Sequence, residues 1–103
     1  MMVEGMAELS PRMRMAVNDM TALILIRYPS ASFRLTRDEE DSSIVYLTTV
    51  VDVDDPDEVT DLVINRMREL LVDESLPLFV VPIRTPERVA AALEERRAEA
   101  ARV

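Results

Sequence analysis

Three prolines in this chain directly follow a Ser, Asp or Thr, at Ser10-Pro11, Asp55-Pro56 and Thr85-Pro86, and these pairs dictate where helices begin. A short side-chain oxygen accepts a hydrogen bond from the unpaired N–H groups of a first turn. Proline in the next position has no N–H to leave unsatisfied and a φ already suited to a helix. Asp57 and Glu58 add carboxylates at the positive end of the second helix. The pattern predicts helices from about Pro11 to Arg27, from Pro56 to about Val72, and from Pro86 to the C-terminus. Tyr28-Pro29 closes the first, because the residue before proline avoids the helical region.

The intervals between these helices read as strands. Ala31–Arg37 alternates, Ser43–Val53 is rich in β-branched residues, and Leu78–Arg84 is a short apolar run. The expectation is an α+β fold, a single small domain in the order α-β-β-α-β-α, with a three-stranded mixed sheet and helices mainly on one face. Residues 1–9 are expected as a flexible N-terminal segment, 10–103 as the domain, and 86–103 as its C-terminal helix. A crossover through the second helix places the third strand parallel to the second, in sheet order 1-2-3. An antiparallel 2-1-3 order stays open. Pro82 cannot donate to a ladder, so it belongs at an edge or a bulge.

Patterning on these elements raises a problem of coverage. On the middle strand Ile44, Tyr46 and Val50 point one way while Val45, Leu47, Val51 and Val53 point the other, so both faces are apolar. In the first helix Met13, Val17, Met20 and Ile24 form one stripe, while Met15, Ala22 and Ile26 form a second about 150–200° away. The second helix has one wide face of Val59, Leu62, Val63, Met67, Leu70 and Leu71. In the third, Val89, Leu93, Ala100 and Val103 make a thin stripe broken by Arg96. With three helices in 103 residues, covering both sides of the sheet within one monomer is difficult, and a small three-layer monomer with the third helix wrapping underneath stays open as the alternative. An uncovered apolar face on the order of several hundred Å² marks a protein contact. Met15, Ala22, Ile26, Tyr46 and Val50 are the candidate interface residues, and a homo-oligomer, first of all a dimer, is the expected state.

Composition narrows the chemistry. The sequence contains no histidine, cysteine or lysine, which removes the usual general base near neutral pH, thiol and thiolate–metal chemistry, and Schiff bases. No catalytic residue is assigned. A formal net charge of −8 disfavours nucleic acid and anionic membrane surfaces and favours a basic protein partner. Asp38 to Glu74 holds thirteen acids against Arg66 and Arg68, a net of −11. Apolar runs are too short to span a bilayer, and the first residues lack a basic cluster ahead of an apolar stretch, so a cytoplasmic protein is expected. A single glycine, Gly5, leaves no phosphate-binding loop and no G-x-x-G of a KH domain.

One constellation offers oxygen ligands. Asp52, Asp54, Asp55 and Asp57 cluster where the second strand meets the second helix, and such a group suits Mg²⁺ or Mn²⁺. No other cofactor is implied. Each acid also has a structural use: Asp55 as a cap, Asp57 at the helix dipole, Asp52 and Asp54 at a strand end. If the second and third strands are parallel, Arg84 and Thr85 come near Asp52 and Asp54, so an ion pair is the plainer expectation; Arg84 or Arg34 would be anion contacts in a metal site. A second acidic run, Asp38-Glu39-Glu40-Asp41, forms a hairpin tip roughly 35 Å away along the strand.

The α-β-β-α-β order loosely resembles the cytoplasmic domain of cation-diffusion-facilitator transporters, without the histidines those domains use for zinc. The block from Tyr46 to Arg88, with Asp52-Val53-Asp54-Asp55-Pro56-Asp57-Glu58-Val59 and Thr85-Pro86-Glu87-Arg88, resembles a group of short bacterial proteins with no established activity. That resemblance covers about 40% of the chain. It implies a recurring small bacterial domain and carries no residue roles. Two readings follow: a non-enzymatic oligomeric interaction or regulatory module with an acidic surface, and a divalent-metal-binding enzyme or sensor using the Asp cluster.

Overall fold

A computed structural model describes residues 5–101. Its elements are α1 (Pro11–Arg27), β1 (Ser32–Arg37), β2 (Val45–Val51), α2 (Asp57–Asp73), β3 (Leu78–Arg84) and α3 (Pro86–Ala101). Of residues 1–9, residues 1–4 lie outside the described residues, Met6–Glu8 form a short 3-10 turn, and Leu9 is buried in the core. The Arg37 guanidinium holds this turn by donating to the Glu8 carbonyl at 2.7 Å.

The polar residue before each proline caps its helix. Ser10 Oγ accepts from the Met13 N–H at 3.2 Å, Asp55 Oδ1 from the Asp57 N–H at 3.0 Å, and Thr85 Oγ1 from the Arg88 N–H at 3.3 Å. These are the second or third N–H groups of each first turn, the donors that have no partner inside the helix. Pro56 itself has helical dihedrals, φ −60° and ψ −20°.

The sheet order is β1-β2-β3. β1 pairs antiparallel with β2, Leu35 opposite Leu47, and β2 pairs parallel with β3, Leu47 beside Val80. The 2-1-3 order is excluded. β2 is shorter than the expected Ser43–Val53 because both ends are taken by turns. At one end Asp41 accepts from Ser43, and at the other the chain bends at Asp54 toward α2. Pro82 lies in an edge strand with its nitrogen turned away from β2. The N–H groups of the same parity show this: Leu78 donates to the Leu76 carbonyl at 2.9 Å and Val80 to the Met67 sulfur at 3.2 Å, both off the ladder. Proline there removes no sheet hydrogen bond.

One core lies between the sheet and the first two helices. Met13, Val17, Met20 and Ile24 of α1 and Val59, Val63, Met67 and Leu70 of α2 meet Val45, Leu47, Val51, Leu78 and Val80. Thr49, the only buried polar residue among the described residues, donates its hydroxyl to the Leu47 carbonyl at 3.2 Å. Leu71 departs from its expected place: it sits at the margin of the α2 apolar face and is 44% exposed. No helix among the described residues is long and apolar enough to cross a membrane.

Candidate functional site

Strand alternation divides the sheet into two unlike faces. On β2, Val45, Leu47, Thr49 and Val51 are buried beneath the helices, while Tyr46, Thr48 and Val50 on the other side are only partly buried. The register sets three rows across the open face: Thr36, Tyr46, Phe79; Arg34, Thr48, Val81; and Ser32, Val50, Ile83. Val81 and Ile83 are 39% and 43% exposed. The result is a lane on β2 and β3 that is apolar except for Thr48, flanked along β1 by small polar residues and one cation, Arg34. The expected interface residues Tyr46 and Val50 both lie in this lane.

Tyr46 ties the lane to the hairpin. Its ring packs tilted against Phe79, centroids 6.2 Å apart, and its hydroxyl donates to Asp38 Oδ1 at 2.9 Å. The other Asp38 oxygen accepts from the N–H groups of Glu40 and Asp41, each at 3.1 Å. These donors hold the Asp38 carboxyl below the usual carboxylate range, the Tyr46 hydroxyl contributing most; the same bond pushes the Tyr46 phenol up. A depressed carboxyl stabilises the fold above its ordinary range and loses that contribution as pH falls through its folded value. A raised phenol stabilises below about pH 10 and loses its contribution as pH rises through its folded value. The hairpin bond therefore works between these limits and weakens at both extremes. Tyr46→Phe is expected to move the Asp38 titration upward while the two N–H donors keep it partly depressed. A carboxyl NMR titration checks this, and an unmoved Asp38 would refute it.

The other expected interface residues, Met15, Ala22 and Ile26, occupy the outward side of α1, where Met15 and Ile26 are 67% and 82% exposed. This stripe is interrupted. Asp19 stands within it and pairs with Arg66 at 3.5 Å, and Arg66 also bridges Glu69 at 3.1 Å and Glu74 at 3.7 Å. The open sheet face has no such charged break along β2 and β3.

At the opposite end of β2 the acidic cluster divides. Asp52 and Asp54 come together around a guanidinium: Arg88 Nε donates to Asp52 at 2.5 Å and Arg88 Nη1 to Asp54. Both carboxylates hold the Arg88 guanidinium above its usual range, the Asp52 hydrogen bond first. Asp55 is committed to the α2 cap, and Asp57 is exposed on the first turn of that helix. Among the described residues no three acids converge in a way that could hold a metal ion. The expected partner was Arg84. It lines the same shallow pocket, but Arg88 makes the ion pair. The signal for this lay in the Thr85 cap, which fixes Arg88 as the third residue of α3, where a long side chain leans back toward the preceding strand end. A cation at a helix N-terminus opposes the dipole, and two carboxylates offset that cost. Arg34 lies on the open face opposite Thr48, away from this cluster.

Beyond Arg88, α3 makes no extended contact with the sheet or the other helices, and none of its described residues is buried. Arg88→Met is expected to leave the unfolding midpoint nearly unchanged while speeding amide exchange and proteolysis within 86–101. Equal exchange in parent and variant would show that the clamp does not restrain α3.

These features define a small α+β domain with a mixed sheet covered on one side and an α3 tied to the body through one arginine. Comparison of the chain with protein-family profiles, curated proteins and solved structures returns no significant match. Roles for individual residues therefore rest on the geometry.

Proposed function

We propose that this chain is a non-enzymatic, homo-oligomeric interaction or regulatory module, in the first instance a dimer, assembling through the open sheet face. The observation carrying this reading is the sheet itself, apolar on both sides and covered on one. Val50, Phe79, Val81 and Ile83 form a contiguous lane instead of scattered single residues, and a lane of this kind is characteristic of protein contacts. The lack of His, Cys and Lys supports a role without chemistry. Asp52 and Asp54 are read as the anchor of α3. The acidic outer side of α2, with Asp57, Glu58, Asp61 and Asp73 exposed, remains free in such an assembly and suits a basic protein partner.

The test is residue-resolved. With a soluble paramagnetic probe, methyl signals of Val50, Val81 and Ile83 are expected to be shielded at high protein concentration and bleached at low concentration, while Met15 and Ile26 are bleached throughout. Bleaching of all five at every concentration would refute the reading.

A further inference from the structure

Two apolar surfaces in this chain lack a partner among the described residues, and they match in size. One is the open sheet face. The other is α3, where Val89 and Leu93 are 40% and 51% exposed and share a stripe with Ala92 and Ala100 that Arg96 interrupts toward its C-terminal end. The sixteen residues of α3 span about 24 Å at ~1.5 Å each. The seven residues of β2 span about 23 Å at ~3.3 Å each. Three strands ~4.8 Å apart make a lane one helix wide, since a helix with side chains is about 10–12 Å across.

The two surfaces cannot meet within one chain as it stands. Thr85 is the only residue between β3 and α3, and Arg88 is already fastened to Asp52 and Asp54 at the end of β2. α3 instead projects from the body. The Cα radius of gyration is 16.0 Å with extents of 55 × 31 × 26 Å, against roughly 13 Å for a compact chain of this length. An arm presented outward suits a second copy.

Charge and area favour the same occupant. Within the three paired rows of the open face Arg34 is the one charged residue, with Asp38 at the Tyr46 end, and Glu95 and Glu99 flank one side of the α3 stripe. The sheet face alone has a footprint of roughly 300 Å² from strand spacing and rise, well short of the ~800 Å² per partner of a stable interface. Adding the α3 stripe on each copy nearly doubles the contact.

We infer that α3 is an exchange arm: in the dimer, each copy lays α3 along the open sheet face of the other, with Val89 and Leu93 over Val50, Val81 and Ile83 and the Glu95 side turned to Arg34. This inference rests on the dimer proposed above. The Asp52–Arg88–Asp54 clamp then sets the angle at which the arm leaves the body.

The absence of cysteine from the chain allows a clean test. Val81→Cys and Leu93→Cys are made separately, both at exposed positions, mixed, and treated with a short bis-maleimide. A covalent product of two chains joining positions 81 and 93 is expected in the mixture, and the total of cross-linked dimer there is expected to exceed that of either single variant about tenfold because bound thiols face one another at high effective concentration. Sedimentation of the same samples separates the outcomes. A dimer in which Val81→Cys alone links to itself means face-to-face sheets and overturns the arm while sparing the dimer. A dimer with no 81–93 product does the same. In the double variant, linkage within one chain would show α3 folding back on its own sheet and overturn the exchange. A monomer at all concentrations overturns both readings.

Discussion

Leu47→Ala is expected to lower the free energy of unfolding by about 3–4 kcal/mol, in the range measured for large-to-small changes in rigid cores, and the thermal midpoint by on the order of 15 °C. Leu47 is fully buried at the centre of β2, between Leu35 and Val80 in the register and beneath both packed helices. Its loss removes apolar transfer energy and leaves a cavity that two strands and two helices cannot close together. Val50→Ala, on the same strand but the open face, creates no enclosed cavity and should cost under about 1 kcal/mol in the monomer. Urea unfolding of both variants at one fixed protein concentration measures the contrast, since association would itself add stability. Equal costs would mean that the sheet is covered on both sides in the monomer.

The second large effect concerns association. Val81→Glu combined with Ile83→Glu is expected to weaken self-association at least ~100-fold, because two apolar side chains worth roughly 1.5–3 kcal/mol each on burial are replaced by carboxylates that resist desolvation. Monomer stability should fall by no more than about 1–2 kcal/mol, since both positions are partly exposed on an edge strand and strand preferences span about 1 kcal/mol per residue. Met15→Glu combined with Ile26→Glu places the same charges on the broken α1 stripe and should leave association as in the parent. Light scattering across a dilution series reads all three. Dissociation by the α1 variant and not by the sheet variant would move the interface to α1.

The parts of this fold legible in the sequence were those set by short-range chemistry. Ser10, Asp55 and Thr85 each cap within three residues of themselves, so the three helix starts needed no knowledge of the rest of the chain. Two-sided apolarity put β2 in the centre, and Pro82 put β3 at an edge. What depends on tertiary placement was less legible. Leu71 and Leu70 are equally apolar neighbours about 100° apart around α2, and tertiary packing buries Leu70 while Leu71 stays 44% exposed. Arg84 ends β3 and Arg88 is the third residue of α3, and the choice between them rests on the direction in which α3 leaves β3. Of the candidate site, Tyr46 and Val50 were visible in the alternation of β2, whereas Phe79, Val81 and Ile83 required knowing which side of the sheet the helices occupy.

The central claim, that the open sheet face is where copies of this chain meet, is tested most directly by sedimentation velocity of the purified chain over a concentration series, with the Val81→Glu and Ile83→Glu double variant run alongside. The expected result is a concentration-dependent shift of the parent above the 11.7 kDa monomer, absent in the variant. A parent that sediments as an elongated monomer at every concentration, indistinguishable from the variant, would contradict it.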